Sequence, residues 1–404
     1  MPEVSILDVR LHDRSIGTLT KLPGDKALFA FNDAYVADDR RPTLSLSFKD
    51  ALGGLITDIA PTQTRLAPFF SNLLPEGAMR DYLAARAGVN PVREFPLIWT
   101  LGHDLPGALT IMPFGRDSLP PSDDDLPEVS GGMEGDDILR FSLAGVQLKF
   151  SAVKEASGGL TIPAEGVGGL WIVKLPSTVY PNVPENEFAM MDLARRAGID
   201  VPEIFLTPGA RISGLPQGME SGANAFVTRR FDRTDTGNAV HMEDFAQVFG
   251  LYPEKKYGKA SYGNIARVLW IETGEEGITE FLRRFVFNAL IGNGDMHAKN
   301  WSLIYPDRRQ AQLAPAYDFV STIAYIPNDK LALTFAGSKS FASLSLDQFA
   351  RFAGKVGLPQ KLTRDTVRGT VARFRAVWDA AEAVPPKVRE AIERHLRTVP
   401  VWEK

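Results

Sequence analysis

From Phe287 to Tyr305 the chain reads FNALIGNGDMHAKNWSLIY, and we interpret the rest of the sequence outward from this segment. Its first residues form an apolar run compatible with a helix, and the run breaks at Gly292 to Gly294. Trp301 to Tyr305 then has the composition of a strand. Between the break and the strand lie three polar side chains: Asp295, His297 and Asn300. Taken singly, such residues often only cap helices and turns.

The order and spacing of these residues indicate more than capping. An Asp-x-x-x-x-Asn sequence between a helix and a strand, here Asp295 and Asn300, is the pattern of a protein-kinase catalytic loop. In that loop the Asp accepts the proton of an attacking hydroxyl, and the Asn binds a metal ion that bridges phosphates. A second aspartate, Asp318, follows in the sequence Ala-Tyr-Asp-Phe and could bind the metal as the Asp of a DFG motif does. The pattern therefore predicts a phosphoryl-transfer site.

An upstream lysine supports this prediction. Trp171 to Pro176 is an apolar strand with one lysine, Lys174, like the Val-Ala-Ile-Lys strand of kinases. A lysine in such a strand is often a surface residue, but in a cleft it would bind the α- and β-phosphates of ATP. The next helix, Pro184 to Gly198, has acids in its first turn and arginines in its last. Glu185 or Glu187 could pair with Lys174, or both could only complement the helix dipole.

Length and composition bound the possibilities. A chain of 404 residues with 44% hydrophobic and 23% charged residues predicts a globular protein of two or three domains. No apolar run approaches the ~20 residues of a membrane span, and the N-terminus does not read as a secretory signal. The chain has no cysteine, which excludes disulfides and fits a cytoplasmic location. A formal charge of −4 argues against a general nucleic-acid coat.

The pattern of elements predicts four regions. Residues 1–114 form a small α+β domain without a catalytic motif, so its expected role is structural or partner-binding. Residues 115–137 are an acidic Pro/Gly-rich linker. Residues 138–235 are a strand-rich lobe, and residues 236–404 a helical lobe, with a polar loop at 257–262 beside the cleft. Strands are expected at 4–9, 16–22, 27–31, 44–48, 171–176 and 225–230. Helices are expected at 242–249, 262–273, 278–291, 346–356, 364–383 and 388–397.

Several motifs, in this order, resemble those of one family. They are FSNLLPEG at 70–77, SLAGVQLK at 142–149, ENEF at 185–188, RFDR at 230–233, NGDMHAKN at 293–300 and PAYD at 315–318. Together they resemble the HipA-like serine/threonine kinases, the toxin components of HipBA-type toxin–antitoxin systems. The resemblance runs through nearly the whole chain.

The resemblance implies an α+β, two-lobed protein-kinase-like fold, with an extra N-terminal subdomain before a mixed α/β N-lobe and an all-α C-lobe. It implies ATP and Mg²⁺ as cofactors, Asp295 as catalytic base, and Asn300 and Asp318 as catalytic metal ligands. The residues expected to bind ATP are Lys174, Ala144, Gly145, Gln147, Glu187, Phe231 (at the hinge) and His297. Ser142 matches a serine that family members autophosphorylate, which ejects the phosphate-binding loop and inactivates the enzyme.

The resemblance also implies partners. One is a helix-turn-helix antitoxin of the HipB type, and operator DNA is contacted only indirectly through that antitoxin. The other is a protein substrate, which in the family is an aminoacyl-tRNA synthetase. No membrane partner is expected. Two alternatives keep the fold: a small-molecule kinase, or a catalytically weak, DNA-bound corepressor. A metal hydrolase using Asp295 and His297 is a further alternative, but it lacks a second histidine at ligand spacing.

Overall fold

The computed structural model describes residues 5–114, 148–155, 159–162, 168–215 and 222–403. The expected linker at 115–137 lies outside the described residues, as do four expected site residues: Ser142, Ala144, Gly145 and Gln147. Among the helices within the described ranges, none combines the length and apolar character needed to cross a bilayer.

The N-terminal domain contains an antiparallel sheet in the order β4-β3-β2-β1-β5. Its strands are β1 (Ser5–Leu11), β2 (Arg14–Leu22), β3 (Lys26–Phe31), β4 (Thr62–Gln63) and β5 (Leu109–Pro113). Its helices are α1 (Asp33–Val36), α2 (Pro68–Ser71), α3 (Gly77–Ala87) and α4 (Glu94–Leu101). The expected first hairpin is confirmed: β1 and β2 pair with Leu7 opposite Leu19, and Asp13 turns the chain with a φ of 62°.

The second sheet belongs to the N-lobe and has the order β10-β7-β6-β8-β11-β9. Its strands are β6 (Lys149–Lys154), β7 (Leu160–Thr161), β8 (Trp171–Lys174), β9 (Ile204–Pro208), β10 (Ile212–Ser213) and β11 (Asn224–Arg229). One long helix, α5 (Val183–Arg196), packs on β9 and β11 through a buried face that includes Met190 and Leu193. At the start of α5, Glu185 contacts β11 and Glu187 contacts β8.

The C-lobe surrounds the long helix α7 (Tyr262–Ile291), whose N-terminus is capped by Ser261 and Asn264 in a capping box. The other helices are α6 (Phe245–Val248), α8 (Leu346–Val356), α9 (Gln360–Trp378), α10 (Pro386–Leu396) and α11 (Pro400–Glu403). The two helices expected at 262–273 and 278–291 are found as the two halves of α7, which meet at a kink at Gly274, a residue with non-helical backbone angles. Buried aromatic rings of α7, including those of Phe281, Phe285 and Phe287, form the centre of the core.

The expected strand at residues 44–48 is wrong. Leu46–Phe48 is a 3-10 helix, and Ser45 caps it by accepting a hydrogen bond of 3.0 Å from Ser47 N. The alternating apolar residues predict a strand, but a serine at this position competes with strand pairing by bonding to the local backbone.

The C-lobe also differs from expectation because it is not entirely helical. Three short strands, β12 (His241–Asp244), β13 (Ser302–Tyr305) and β14 (Gln312–Leu313), form a small antiparallel sheet in this order. The helix expected at 242–249 is therefore shorter and starts after Asp244, which forms a capping box with Gln247. Pairing of β12 with the distant strand β13 decides the conformation here, and local propensity cannot reveal such a pairing.

Candidate active site

Lys174, at the end of β8, lies between two carboxylates from different parts of the chain. Its Nζ donates a hydrogen bond of 2.5 Å to Glu187 Oε1 on α5, and the same Nζ contacts Asp318 Oδ1. Only 10% of the Lys174 side chain is exposed, and only 1% of that of Glu187. Glu185, the other acid considered for this pairing, instead accepts a hydrogen bond of 3.1 Å from Asn224 Nδ2. The structure thus places Glu187 beside Lys174.

Burial and ion pairing set the charges of this triad. Burial alone would lower the pKa of Lys174, but Asp318 and Glu187 raise it above its ordinary value. Burial would likewise raise the pKa of Asp318, but Lys174 holds that pKa well below its usual range. In Glu187 the effect of burial exceeds that of Lys174, and the pKa rises to about 7. Near neutral pH, Lys174 is therefore protonated and Asp318 ionised, whereas Glu187 is poised to change charge.

The segment that contains Asp295 begins where α7 ends. Gly292 ends the helix with a φ of 65°, and a Cβ at this position would lie 2.4 Å from Ile323 Cγ1, so only glycine fits. The next residue, Asn293, accepts a hydrogen bond of 3.0 Å from Asp295 N through Oδ1. Its Nδ2 donates to Asp318 O at 3.3 Å. One amide side chain thereby joins the Asp295 loop to the Asp318 segment.

The Asp295 carboxylate is accessible and held from one side. Its side chain is 53% exposed, and Tyr257 Oη donates a hydrogen bond of 2.7 Å to Oδ1. Crowding by protein atoms excludes solvent from part of the group and raises its pKa, although the hydrogen bond from Tyr257 opposes this. Asn300 Nδ2 donates to the main-chain oxygen of Asp295 at 2.8 Å and closes the loop. An acceptor hydroxyl could therefore reach Oδ2.

His297 lies beneath this carboxylate as a neutral imidazole. Its Nε2 lies 4.0 Å from Asp295 Oδ1, and its ring packs edge-on against Tyr257 with centroids 4.9 Å apart. Burial, together with the charge of Lys256, lowers its pKa to about 3. The ring thus supports the loop without adding charge at neutral pH.

Phe231 follows β11 in the segment that leads from the N-lobe towards the C-lobe. Its ring lies 5.6 Å from that of Tyr317, the residue before Asp318. The structure thus brings Phe231 close to the Asp318 segment, as a hinge residue of a two-lobed kinase would be.

The oxygen atoms of Asn300 and Asp318 suit a magnesium ion, which prefers oxygen ligands. Asn300 donates through Nδ2, and its Oδ1 has no hydrogen-bond partner in the part of the chain that the structure describes. The same holds there for Asp318 Oδ2, since only Oδ1 contacts Lys174. No group of three described His, Asp or Glu side chains could hold a metal alone. Phosphate oxygens would complete the coordination, as is usual for magnesium.

Two residues near Asp295 were given no role from the sequence. Tyr257 lies in the polar loop that the sequence placed beside the cleft, but nothing local indicates that its hydroxyl contacts Asp295. Glu76 belongs to the FSNLLPEG motif of the N-terminal domain, and its carboxylate pairs with Lys256 and Lys299. The FSNLLPEG motif is the sequence signal that could have identified Glu76. A glutamate that only precedes a helix would not require the other residues of that motif.

Comparison with known proteins gives the same picture along the whole chain. A family model described as the HipA N-terminal domain matches residues 7–112, and one described as the HipA-like C-terminal domain matches residues 141–378. The candidate kinase Y4dM of Sinorhizobium fredii is 56% identical over 411 residues, which cover 100% of this chain and 99% of that protein. The serine/threonine-protein kinase toxin HipA of Shewanella oneidensis is 27% identical over 420 residues, covering 94% and 90%.

A solved structure shows that the fold is shared. HipA of Shewanella oneidensis MR-1, from a complex of HipA, HipB and operator DNA, matches with a TM-score of 0.74 at 22% identity. The match covers 98% of this chain and 99% of that one. The expected two-lobed kinase-like fold with an added N-terminal subdomain is confirmed.

Proposed function

Because this chain belongs to the HipA family of kinases, we propose that it is a serine/threonine protein kinase that uses ATP and magnesium and acts as the toxin of a toxin–antitoxin system. The contact between Lys174 and Asp318 carries this proposal. These residues are 144 positions apart in the chain, yet their charged groups meet. Asn293 links the same segment to Asp295, and this link supports a shared site for phosphoryl transfer.

Each side chain has a role in this reaction. Lys174, held by Glu187, binds oxygens of the α- and β-phosphates. Asp295 accepts the proton of the acceptor hydroxyl while that oxygen bonds to the γ-phosphorus, the bond to the bridging oxygen breaks, and ADP leaves. A magnesium ion bound by Asn300 and Asp318 would neutralise charge on the phosphates. Such catalysis depends mainly on positioning and electrostatics.

Replacing the base tests the proposal. Asp295→Asn should lower phosphate incorporation from γ-labelled ATP by a factor of about 10²–10⁴, the usual contribution of a general base. ATP binding measured by calorimetry should stay close to that of the wild type, because Asp295 does not bind the phosphates. Asp347→Asn, at an exposed aspartate in the first turn of α8, is the control. Labelling of the Asp295→Asn variant at the wild-type rate would exclude Asp295 as the base.

Ser142 is the proposed site of autophosphorylation. The resemblance of its motif to that of the family supports this site, and a phosphate there would add roughly −1.5 to −2 charges that would repel the phosphates of ATP. Mass spectrometry of the labelled protein should find the phosphate on Ser142, and Ser142→Ala should remove it. Labelling that persists on another peptide would contradict this assignment.

The proposed partners are a HipB-like antitoxin and an aminoacyl-tRNA synthetase as substrate. The antitoxin is supported by the matched solved structure, in which HipA is bound with HipB and operator DNA. Incubation of the purified chain with γ-labelled ATP and a panel of synthetases tests the substrate. Label on a small molecule in an extract, with none on any synthetase, would favour the small-molecule kinase instead.

A further inference from the structure

A carboxylate of the N-terminal domain contacts the segment that carries Asp295. Glu76, immediately before α3, pairs with Lys299 at 2.7 Å through Oε1 and with Lys256 at 2.9 Å through Oε2. Lys299 Nζ also donates to Asn72 O at 3.2 Å, and Asn72 Nδ2 donates to Leu251 O at 2.6 Å. Four contacts therefore join this short segment to the C-lobe.

The two lysines belong to different segments that meet at Asp295. Lys299 immediately precedes Asn300, whose amide bonds to Asp295 O. Lys256 immediately precedes Tyr257, and its ammonium lies 5.6 Å from the centroid of the Tyr257 ring. By bridging both lysines, Glu76 ties the segment that carries Tyr257 to the loop that carries Asp295.

The bridge is partly shielded from water and stays charged. The Lys299 side chain is 15% exposed and that of Lys256 21%. Burial would raise the pKa of Glu76, but Lys299 and Lys256 together lower it to about 2. The carboxylate is thus ionised throughout the physiological pH range.

Tyr257 completes the path to the base. Its hydroxyl donates to Asp295 Oδ1, so the carboxylate cannot turn freely, and Oδ2 remains for the acceptor. The ring is held in turn by its edge-on contact with His297. A general base must be held within hydrogen-bond reach of the proton that it accepts.

We propose, on the assigned role of Asp295 as the base, that Glu76 and Tyr257 are positioning residues for that carboxylate. Glu76 fixes the Tyr257 segment against the catalytic loop, and Tyr257 orients Asp295. The N-terminal domain thereby contributes to the geometry of the kinase site, in addition to its expected structural or partner-binding role.

The full chain and three variants test this: Glu76→Gln, Tyr257→Phe and the double variant. The readouts are the rate of phosphate incorporation from γ-labelled ATP at saturation, the half-saturating ATP concentration and the thermal midpoint. Each single variant should lose about tenfold to a hundredfold in rate, the scale of a misplaced catalytic group. The half-saturating ATP concentration should change less than about twofold. The double variant should be no slower than the slower single variant, because both act through Asp295.

Matched controls separate positioning from stability. Glu254→Gln removes another ion pair between the N-terminal domain and the C-lobe, with Arg65 at 2.6 Å, that does not touch the catalytic loop. Tyr252→Phe removes a nearby tyrosine hydroxyl. Both should keep the wild-type rate.

The contrary outcomes are distinct. Three results would show that Glu76 and Tyr257 are only structural residues. They are additive losses of rate in the double variant, an equal loss of rate in Glu254→Gln, and losses of rate that correlate with a lower thermal midpoint. A faster Tyr257→Phe variant would show that the hydroxyl blocks the acceptor instead. A wild-type chain that incorporates no phosphate, although it is folded and binds ATP, would overturn the kinase function and this inference with it.

Discussion

The ion pairs of the buried Lys174 ammonium require segments that are far apart in sequence. Two acids share its ammonium, and neither is its neighbour in sequence. The apolar strand around Lys174 predicts a lysine in a cleft, and the helix that follows predicts that one of its acids pairs with this lysine. The choice of Glu187 over Glu185 required the direction in which each side chain leaves α5, and Glu185 turns to Asn224 instead.

Removal of the Lys174 ammonium should lower the free energy of unfolding, by an amount that depends on pH. Lys174→Met should lower the free energy of unfolding by about 3–5 kcal/mol at pH 8, since the buried carboxylate of Glu187 and the partly buried one of Asp318 would lose their partner. The loss should shrink as the pH falls below 7. Glu187 then takes up a proton in the folded protein, because its folded pKa lies above its unfolded value. Urea unfolding at pH 8 and pH 5.5 measures this.

Lys361→Met is the control for that experiment, since the Lys361 side chain is 92% exposed and, within the described ranges, its ion-pair partner is the exposed Asp365. Surface pairs of this kind contribute about 0–1 kcal/mol. An equal loss of stability at both pH values in Lys174→Met would contradict the assigned protonation of Glu187.

His241 supplies a second test at the scale of one residue. It is fully buried in β12, its Nε2 donates to Leu44 O at 2.7 Å, and burial lowers its pKa to about 4. The unfolded histidine titrates near 6.5. As the pH falls below that value, the unfolded state therefore binds a proton first, and about 3 kcal/mol of stability is lost by pH 4.

Gln in place of His241 retains a donor for Leu44 O but cannot titrate. His241→Gln should therefore reduce the fall in unfolding free energy between pH 6.5 and pH 4, whereas His103→Gln, at an exposed histidine, should leave it unchanged. Urea unfolding at pH 7.5, 5.5 and 4.5 is the measurement. An unchanged slope in His241→Gln would show that the imidazole is accessible to protons in the folded state.

At the scale of elements, helices with local end signals were predicted well. The helix expected at 346–356 is found with the same bounds, because Ser345 caps its start and Gly357 ends it with a φ of 78°. The helix expected at 364–383 instead spans Gln360–Trp378. It begins just after Pro359, a start signal that the apolar pattern alone did not reveal.

The backbone of the long helix α7 leaves the helical conformation at Gly274. Gly274 has φ 64° and ψ −151°, a region almost restricted to glycine. Gly274→Ala should therefore destabilise the protein by about 1–3 kcal/mol. Gly369 lies inside α9, where an added Cβ meets nothing within 4 Å, so Gly369→Ala should stabilise it by about 0.4–1 kcal/mol. Thermal midpoints of the two variants should move in opposite directions, and a shift of the same sign would refute the assigned kink.

At the scale of the molecule, a largely buried ion network joins the N-terminal domain to the segment at 230–233, the expected hinge. Asp104, after α4, pairs with Arg230 at 3.1 Å and with Arg233 at 3.2 Å. Asp232 binds both arginines at 2.9 Å and accepts a hydrogen bond of 2.9 Å from Gly107 N. The RFDR motif therefore holds the segment at 230–233, the expected hinge, against the N-terminal domain.

Asp104→Ala tests this coupling. It should lower the free energy of unfolding by about 3 kcal/mol, because two buried guanidinium groups would then share one carboxylate. Calorimetry should show a broadened or divided transition as the N-terminal domain separates from the hinge. Asp235→Ala, at a carboxylate that is 96% exposed and pairs with Arg229, should cost less than about 0.5 kcal/mol. Equal effects of the two substitutions would show that the network does not couple the domains.

Helix ends with local caps and the first hairpin follow from the sequence, because caps and periodicity are properties of neighbouring residues. Loop spacing and motifs likewise select Lys174, Asp295, Asn300 and Asp318 as candidate site residues, and their roles stay predictions. The strand His241–Asp244, the choice of Glu187, and the contacts of Glu76 and Tyr257 with the catalytic loop required the folded protein. Each depends on a partner far away in sequence. Such pairings are decided by packing and by the cost of leaving a buried polar group unpaired, and no local pattern encodes either.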